Sequence, residues 1–396
     1  MRSALRWLPG YVWQRWSRRS TDAAVLHLII SLADHFEPAI VPGKGPARAS
    51  RQVQEQRVER WCRQYPKVVN DYPDSDGRRF PHTYFYPAEQ YEKGLIERLA
   101  EHCRLGWGEL EIHLHHGLDA PDTAENTRNQ IVAFRDALVG HGSLCTLDGD
   151  SSPRYAFVHG NFALANSHRG RFCGVDSEMQ ILAETGCYAD FTLPSAPSPS
   201  QVSKINSIYE CALPMDRPVP HRSGHDLRQG CRPRILPIII QGPLLLDFSR
   251  RRRGIPFPGI ENGELTSYHP PTLQRLRLWQ KAEIHIQDRP EWLFIKLHCH
   301  GMDPNDDDAM LGPLFRQFLI DMTRLARETD CITHFVTARE MTNIILAACD
   351  GREGDPGGFR DYRLRLITMR RGQPQLATVK GGDEKQRSET RRLPNP

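Results

Sequence analysis

The sequence predicts an α/β fold of a single domain, in which roughly eight parallel strands alternate with helices and close into a (β/α)7–8 barrel. Three observations support this prediction. Apolar runs of strand length are repeatedly followed by helical spacing, His or Asp stands directly after several of these runs, and no glycine-rich phosphate fingerprint follows any strand. An open doubly wound sheet is the alternative, which the missing fingerprint disfavours. We expect the barrel to span residues 21–371, between a basic aromatic helix over residues 1–20 and a polar, disordered tail over residues 372–396.

The first half of the chain opens with a strand that is apolar along its whole length. Val25–Ala33 has the β-branched content and the length of a strand that is buried on both faces. Within Gly108–Asp119, by contrast, apolar and polar residues alternate with a period of two, which is typical of a strand with two different faces. The other predicted elements are a helix that ends before Pro66, a short strand and two amphipathic helices: Gln52–Tyr65, Thr83–Tyr86, Glu89–Cys103 and Thr123–Val139.

The second half continues the alternation of strands and helices. Gly186 marks the end of one helix, because glycine is favoured at that position, and residues 212–233 have the composition of a long loop. The predicted strands are Tyr155–Val158, Cys187–Thr192, Arg234–Gln241, Trp292–His298, Ile332–Val336 and an edge strand within Arg360–Thr368. The predicted helices are Ser177–Glu184, Pro271–Gln287, Leu311–Arg327 and Ala338–Ala348.

Composition limits the classes of function. Of 396 residues, 39% are hydrophobic and 25% are charged, as in a soluble globular protein, and the formal net charge of +4 is too small to predict nucleic-acid binding. The ten cysteines form no C-x-x-C pair, and several lie in apolar runs, which indicates buried free thiols and a cytoplasmic location. The sequence has no apolar stretch long enough to span a membrane.

The first twenty residues combine tryptophans with arginines. Such a segment either docks on the protein's own body through its indole rings, which we favour, or lies on a membrane surface as a basic amphipathic helix. The second alternative would make this a peripheral membrane protein.

The segment Gly108–Asp119 holds the strongest candidate for a functional site. Because side chains alternate along a strand, His113 and His115 are expected on one side, and His116 on the other side or in the following loop. Asp119 follows one tight turn later. Neutral imidazoles and a carboxylate suit Zn²⁺ or another divalent transition ion, so the sequence predicts a metal site at the end of this strand.

Histidine or aspartate also follows other predicted strands. In a parallel barrel the C-terminal ends of the strands lie on one rim, so these residues are expected to converge on one site. The candidates, in chain order, are Asp34, His35, His113, His115, His116, Asp119, His159, Asn161, Asp190, His298, His300 and His334.

Three of these segments resemble the motifs of the polysaccharide deacetylases, a carbohydrate esterase family with a distorted β/α barrel. Ile30–His35 resembles the first motif, a strand that ends in Asp-Asp, and Glu111–Asp119 resembles the second, a strand followed by two metal-binding histidines. Ile295–His298 resembles the last motif, a strand that ends in the general acid. The resemblance covers the order of elements from residue 25 to 350 and implies a divalent metal, Zn²⁺ first, and a carbohydrate substrate.

The resemblance implies a role for each matched residue. His35, His115 and Asp119 would bind the metal, while Asp34 would act as general base and His298 as general acid. The other candidates are Asn161 for the oxyanion, Phe191, Thr192 and Ser195 for a wall against a sugar ring, and His113, His116, His159, Asp190 and His300 as additional site residues.

The first motif departs from the family, because it has one aspartate where two are expected. Either Asp34 matches the base and His35 replaces the metal-binding aspartate, or Asp34 matches the metal ligand and Ala33 stands in the place of the base. In the second case hydrolysis would be lost.

The sequence thus predicts a metal-dependent hydrolase that removes acetyl groups, as amides or esters, from a carbohydrate or glycan precursor. Three alternatives stay open. One is a catalytically inactive glycan-binding barrel of a surface-polysaccharide pathway, and another is a metal-dependent amidohydrolase, which the pair His113 and His115 favours. The third is a glycosidase, which would need two opposed carboxylates, such as Asp34 with Asp119 or Asp190.

Overall fold

The computed structural model describes residues 4–18, 25–44, 47–249, 251–252 and 254–367. The predicted polar tail, 372–396, lies outside the described residues, as do parts of the predicted N-terminal segment. The domain boundaries therefore stay predictions. Among the described helices, none combines the length and the apolar character that crossing a membrane requires.

A large, mostly parallel sheet organises the molecule, which confirms the predicted α/β class. The strands in the described part of the chain are β1 (Leu26–His35), β2 (His82–Pro87), β3 (Gly108–Leu114), β4 (Cys145–Leu147), β5 (Pro153–His159), β6 (Cys187–Asp190), β7 (Ile208–Cys211), β8 (Gly224–Asp226), β9 (Ile238–Ile240), β10 (Leu245–Asp247), β11 (Arg251–Arg252), β12 (Ile255–Pro256), β13 (Gly259–Glu261), β14 (Glu264–Leu265), β15 (Trp292–Cys299), β16 (Cys331–Phe335) and β17 (Leu364–Leu366). Along the main sheet they follow the order β14-β15-β1-β2-β3-β5-β6-β9-β7-β8. In addition, β16 pairs with β1, and β4 joins β5 to β17.

Helices connect most of the parallel strands, as the alternation in the sequence predicted. The described helices are α1 (Ala4–Ser17), α2 (Arg51–Val69), α3 (Lys93–His102), α4 (Ala124–Gly140), α5 (Glu178–Thr185), α6 (Leu273–Gln280), α7 (Asp307–Leu311), α8 (Pro313–Glu328) and α9 (Ala338–Cys349).

Strand β1 occupies the centre of the sheet because it pairs along both edges. β15 runs parallel to it on one edge, while the other edge is shared by β16, beside Leu26–Ile30, and by β2, beside Ala33–His35. β2 in turn pairs with β3. The C-terminal ends of β15, β1, β2 and β3 therefore meet at one edge of the sheet, where α/β folds place their functional sites.

Both faces of β1 are buried, as its continuous apolar run predicted. Leu28 and Leu32 pack in one cluster with Trp61 of α2, whereas Ile29 shares a second cluster with Val158 of β5 and with α9. Helix α9 is buried along its full length. The strand that carries His35 is thus fixed between two cores.

Hydrogen bonding does not close the sheet into a ring. Within the described residues, no ladder joins β9 to β15. The two come close nevertheless, because a Cβ atom at Gly242, just after β9, would lie 2.3 Å from the carbonyl oxygen of Lys296 in β15. The closed barrel stays a prediction.

Helix α1 docks on the protein's own body. Trp7 is fully buried in a cluster with Ala196, Ile205 and Leu244, and the Arg18 guanidinium donates hydrogen bonds to carbonyl oxygens of other segments. The opposite side of the helix carries Trp13 and Trp16, which are 69% and 90% exposed. Contact of these indoles with a membrane surface stays a prediction.

The structure corrects the predicted helix Pro271–Gln287, which ends at Gln280. Beyond it, Ala282, Ile284 and Ile286 are buried while the residues between them are partly exposed. That period of two belongs to extended chain, and the amide of Phe294 donates to the carbonyl oxygen of Ile284. The predicted helix therefore extends beyond the observed one at its C-terminal end.

The segment from residue 208 to 265 contains short strands that the sequence analysis missed. β7, β8 and β10 to β14 have two to four residues each, which is too short to display an alternating pattern. Part of this segment was predicted as the long loop 212–233.

All ten cysteines, which lie in the described part of the chain, are free thiols, as predicted. Most are buried, and Cys231 is exposed. The cellular location inferred from them stays a prediction.

Candidate active site and metal centres

A group of histidines with one carboxylate meets where β1 and β3 end. His35 is the last residue of β1, Glu37 follows in the next turn, and His113 lies near the end of β3. One possible ligand atom from each of the three lies within 4.8 Å of the others, and all three residues are buried. We call this group the His35 cluster.

His113 and His115 lie on the same side of β3, as the period of two predicted. Their ring centroids are 4.5 Å apart, and Nε2 of each ring faces Oε1 of Glu37, at 3.4 Å for His113 and 3.6 Å for His115. Nδ1 of His113 is 2.7 Å from the Val158 carbonyl oxygen, and Nδ1 of His115 is 2.8 Å from Glu89. Since these acceptors need a proton on Nδ1, each neutral ring presents the lone pair of Nε2 to Glu37.

The surroundings keep Glu37 ionised and the buried imidazoles neutral. Burial alone would raise the pKa of Glu37, but His113, His115 and His300 outweigh it and hold the pKa at about 2. Burial lowers the pKa of His35 well below its usual value and also lowers the pKa of His113, and neighbouring histidines add to both effects. Burial also acts to lower the pKa of His115, but this pKa is raised instead, because the hydrogen bond to Glu89 and the charge of Glu37 outweigh the effect of burial. An ionised carboxylate and neutral imidazoles are the forms that bind metal ions.

A divalent cation fits this arrangement. Two imidazole lone pairs directed at one carboxylate oxygen repel it, and a cation between them turns the repulsion into coordination. Nε2 of His113 is buried and has no hydrogen-bond partner among the described residues, although buried polar atoms normally have one. The donors of His35, Glu37, His113 and His115 are those that suit Zn²⁺ and related ions.

Two more histidines lie beside the His35 cluster, both from the end of β15. The ring centroid of His35 is 4.7 Å from that of His300 and 6.3 Å from that of His298. Phe162 packs against His35 and His298, at 5.3 and 6.0 Å. Burial first, then Lys296, lowers the pKa of His298 well below its usual value, while His300 is only partly buried.

A cavity of about 560 Å³ opens next to these residues. Glu37, Glu89 and His115 form part of its wall, so the cluster is accessible from solvent on this side. The wall also includes the apolar side chains of Ile40, Leu118 and Phe172 and the polar side chains of Arg48, Asp119, Asn161, Asp303 and Asn305.

Of the other predicted residues, Asn161 and Asp119 lie at the cavity. Asn161 is exposed at the wall and has a φ of 53°, the left-handed conformation that asparagine tolerates. Asp119 is exposed at the rim and does not belong to the group of close ligand atoms around His35. The carboxylate that does belong to this group is Glu37, which the sequence analysis did not name.

The structure does not bring Asp34 to the cluster. Asp34 and His35 are adjacent on a strand, so their side chains point to opposite faces. Oδ2 of Asp34 is 2.7 Å from Nε2 of His82, and Oδ1 accepts a hydrogen bond of 2.7 Å from the amide of Gly301. The carboxylate is fully buried and does not line the cavity. Neither alignment of the first motif fits this placement in full, because both give Asp34 a role at the site, as base or as metal ligand, and the structure holds it outside the cavity.

The predicted wall for a sugar ring lies inside the protein. Phe191 is fully buried and packs against Phe85, with ring centroids 5.9 Å apart. Thr192 accepts a hydrogen bond from the amide of His159, and Ser195 is also buried. This correction has a physical reason: α1 covers the loop that follows β6, where Trp7 packs against Ala196.

Asp190 is buried at the end of β6 and does not line the cavity. Burial raises its pKa to about 7, although the hydroxyl and amide of Thr192 donate hydrogen bonds to it. His334 is likewise distant from the cavity. It pairs in register with Ile29, before the end of β1, and its Nδ1 is 2.7 Å from Asp76.

His116 points away from His113 and His115, as predicted, and meets His159 in a second buried group. Cys173 and Glu178 complete this group. It lies outside the cavity lining.

Sequence reasoning missed Glu37 and Glu89. Glu37 stands two residues after His35, and this short H-x-E spacing was a signal that could have been used. Glu89 reaches His115 because β2 pairs with β3, with Pro87 beside His113. That contact depends on strand pairing and has no local signature in the sequence.

Comparisons with known proteins add one likeness. No protein-family model and no curated protein matches the sequence. Among solved structures, the chain is similar to a protein described as "putative polysaccharide deacetylase from Mycobacterium smegmatis", with 11% identity and a TM-score of 0.40 over 83% of this chain and 93% of that one. We therefore derive the function from the residues of the site.

Proposed function

We propose that the protein is a metal-dependent hydrolase that removes acetyl groups, bound as amides or esters, from a carbohydrate. The observation that carries the proposal is the convergence of His113 and His115 on Glu37, beside His35, at the wall of a cavity. Several imidazoles around one ionised carboxylate are characteristic of a metal centre.

Four residues would hold the ion. His35, Glu37, His113 and His115 supply nitrogen and oxygen donors, and Zn²⁺ is the ion we favour for this set. A bound ion would polarise the acetyl carbonyl and lower the pKa of water towards neutrality. Glu89 would fix the orientation of His115 through Nδ1, as outer-shell carboxylates do in metal sites.

Two histidines would move the protons of the reaction. Hydrolysis needs one group that accepts a proton from water and one that gives a proton to the leaving amine or alcohol. His300, which is partly buried beside His35, suits the first role, and His298, which is enclosed by Phe162, suits the second. Asp34 takes no part in this scheme, because His82 and Gly301 bind its carboxylate on the other face of β1.

The cavity suits a sugar. Its volume of about 560 Å³ lies within the range of small-molecule sites. Phe172 offers an aromatic face, and Arg48, Asp303 and Asn305 offer hydrogen-bonding groups for hydroxyls. Asn161, also at the wall, keeps its proposed role at the oxyanion.

Release of acetate from acetylated glycans tests the proposal. The purified protein would be loaded with Zn²⁺ and incubated with N-acetylated chito-oligosaccharides and with O-acetylated xylan. We expect metal-dependent release that falls on the order of 100-fold when His113 and His115 are both replaced by alanine. His225→Ala is the matched control, since His225 is exposed and belongs neither to the His35 cluster nor to the second buried group around His116 and His159. No release from any substrate by the metal-loaded protein would contradict the proposal.

A second candidate function is glycan binding without hydrolysis. It is favoured by the position of Asp34, because the resemblance implies a carboxylate as base at that place and the structure holds this one outside the cavity. Calorimetric binding of the same glycans without any release of acetate would favour this candidate over the hydrolase.

A further inference from the structure

A second group of metal-ligand side chains has no part in the proposed function. It consists of His116, His159, Cys173 and Glu178, which we call the His116 cluster. Its members come from the turn after β3, the end of β5, a loop and the start of α5. His116 is 4% exposed and the other three are fully buried, so no substrate can reach them from solvent.

The ligand atoms of the His116 cluster point at one another. Nε2 of His116 and Nε2 of His159 are 2.9 Å apart, and they lie 3.0 and 3.2 Å from Oε1 of Glu178. The sulfur of Cys173 lies 3.6 Å from Oε2 of Glu178, and all four ligand atoms lie within 4.8 Å of one another. Donors at zinc-ligand distances in a tetrahedron are roughly 3.3–3.8 Å apart, so these separations are close to those of a bound ion.

The outer nitrogens of both rings are already engaged. Nδ1 of His116 is 2.9 Å from Asp122, and Nδ1 of His159 is 2.5 Å from the carbonyl oxygen of Gly160. Each acceptor requires a proton on Nδ1, so two neutral rings direct their Nε2 lone pairs at each other and at Glu178. This repulsion is relieved either by an extra proton or by a metal cation.

A fifth residue, His221, also favours a metal ion in this region. Its ring is fully buried, and neither ring nitrogen has a hydrogen-bond partner among the described residues. The ring interacts electrostatically with Glu178 and His159. A buried imidazole with two unpaired nitrogens is costly, and a ligand position in a metal site beside it would engage one of them.

We propose that His116, His159, Cys173 and Glu178 bind a structural Zn²⁺ ion, with His221 next to the site as an alternative ligand. Two nitrogens, one sulfur and one carboxylate oxygen form a donor set that Zn²⁺ accepts in tetrahedral geometry. A fully enclosed site with four protein ligands leaves no open position for water, which is the property of structural zinc. This site is independent of the catalytic role proposed for the His35 cluster.

The ion would stabilise the wall of the cavity. Between Asn161 and Phe172, six residues other than glycine have positive φ, and the segment contains only short 3₁₀ turns. Such backbone is strained at residues other than glycine and persists where the surroundings hold it. A metal that links His159, before this segment, to Cys173 and Glu178, after it, would hold its two ends together.

Cobalt substitution tests the site without any variant. The wild-type protein would be stripped of metal, loaded with Co²⁺ and examined for thiolate-to-cobalt charge-transfer absorption in the near ultraviolet. The ligands assigned to the His35 cluster include no thiol, so this band reports a site that contains cysteine. We expect the band, together with about two zinc ions per chain in the native protein. A wild-type protein without the band would overturn the proposal, whereas the band with only one zinc ion per chain would support this site and count against a metal in the His35 cluster.

Two variants assign the band to its residue. Cys173→Ser should remove the absorption and lower the metal content by one ion per chain, while Cys299→Ser should leave both unchanged. Cys299 is the matched control because it is also buried beside a histidine and a carboxylate, Asp34, whose oxygens are already bonded to His82 and Gly301. Loss of the band in Cys299→Ser with retention in Cys173→Ser would refute the assignment.

A third variant separates this site from the proposed active site. Replacing His113 and His115 by alanine should lower acetate release on the order of 100-fold and remove one equivalent of metal, but should keep the thiolate band. In the wild-type protein, by contrast, absence of acetate release with the band intact would reject the proposed function and leave the structural site standing. The reverse result, catalysis without the band, would reject only the structural site.

Discussion

Glu89 accepts a hydrogen bond from Nδ1 of His115 at 2.8 Å, and this contact determines which nitrogen of the ring faces Glu37. The amide of His115 also donates to Glu89, at 3.2 Å, so the carboxylate fixes both the backbone and the ring. A residue on the connection after β2 thereby orients a ligand at the end of β3.

Glu89→Gln should weaken Zn²⁺ binding by the His35 cluster roughly 10- to 100-fold, because outer-shell partners of ligand histidines contribute about that much to affinity. The measurement is a competition titration with a chromophoric chelator. Glu97→Gln, on the exposed face of α3, is the control, as Glu97 pairs with Lys93 and does not line the cavity. An unchanged affinity in Glu89→Gln would remove Glu89 from the site.

Asp34→Asn should destabilise the fold without removing the metal. The substitution keeps the shape of the side chain but weakens the buried contacts with His82 and with the amide of Gly301, which should cost on the order of 1–3 kcal/mol in the free energy of unfolding. Urea unfolding and metal analysis on the same sample would check both parts. Loss of one zinc ion per chain in this variant would return Asp34 to the metal centre.

The sequence predicted which histidines gather at the end of β3 better than it predicted the carboxylates beside them. The alternation in β3 placed His113 and His115 on one side and His116 on the other, because side-chain direction on a strand follows from local geometry alone. The same rule, applied at the end of β1, would have separated Asp34 from His35. There the motif resemblance, which treated the two as neighbours in one site, took precedence over the alternation.

Residues whose position depends on long-range packing were beyond prediction. The sugar-binding wall was placed on the loop after β6 because that loop is polar and rich in proline, but α1, nearly two hundred residues earlier in the chain, covers it. Cys173 and Glu178 gave no metal-binding pattern in the sequence, since their partners His116 and His159 come from other strands. Only the folded chain brings these groups together.

Glu111 should make the stability of the protein decrease as pH rises. Burial raises its pKa from 4.5 to about 8, although Tyr188 and the amide of Ala156 donate hydrogen bonds to the carboxylate. Between these two values the folded state holds a proton that the unfolded state has released, so stability is greatest near the lower value and falls towards the upper one, by at most about 1.4 kcal/mol per pH unit.

Glu111→Gln removes this titrating proton and should make the free energy of unfolding less dependent on pH. Free energies of unfolding measured at about pH 5.5 and about pH 9 should differ less in the variant than in the wild type by a few kcal/mol. Other buried groups also titrate in this range, so the comparison between the two proteins isolates Glu111. If the free energy of unfolding changed equally with pH in the wild type and the variant, Glu111 would be ionised in the folded state.

Helix α1 should contribute to stability through one of its tryptophans and not through another. Trp7 is fully buried against Ala196, Ile205 and Leu244, so Trp7→Ala leaves a large cavity and should cost about 3–5 kcal/mol in the free energy of unfolding. Trp16 is 90% exposed on the same helix, and Trp16→Ala should change that free energy by less than about 0.5 kcal/mol. Both values would come from urea denaturation followed by circular dichroism. Since the two variants lose the same side chain from one helix, a difference between them measures docking rather than helix propensity, and equal losses would show that α1 is not held by Trp7.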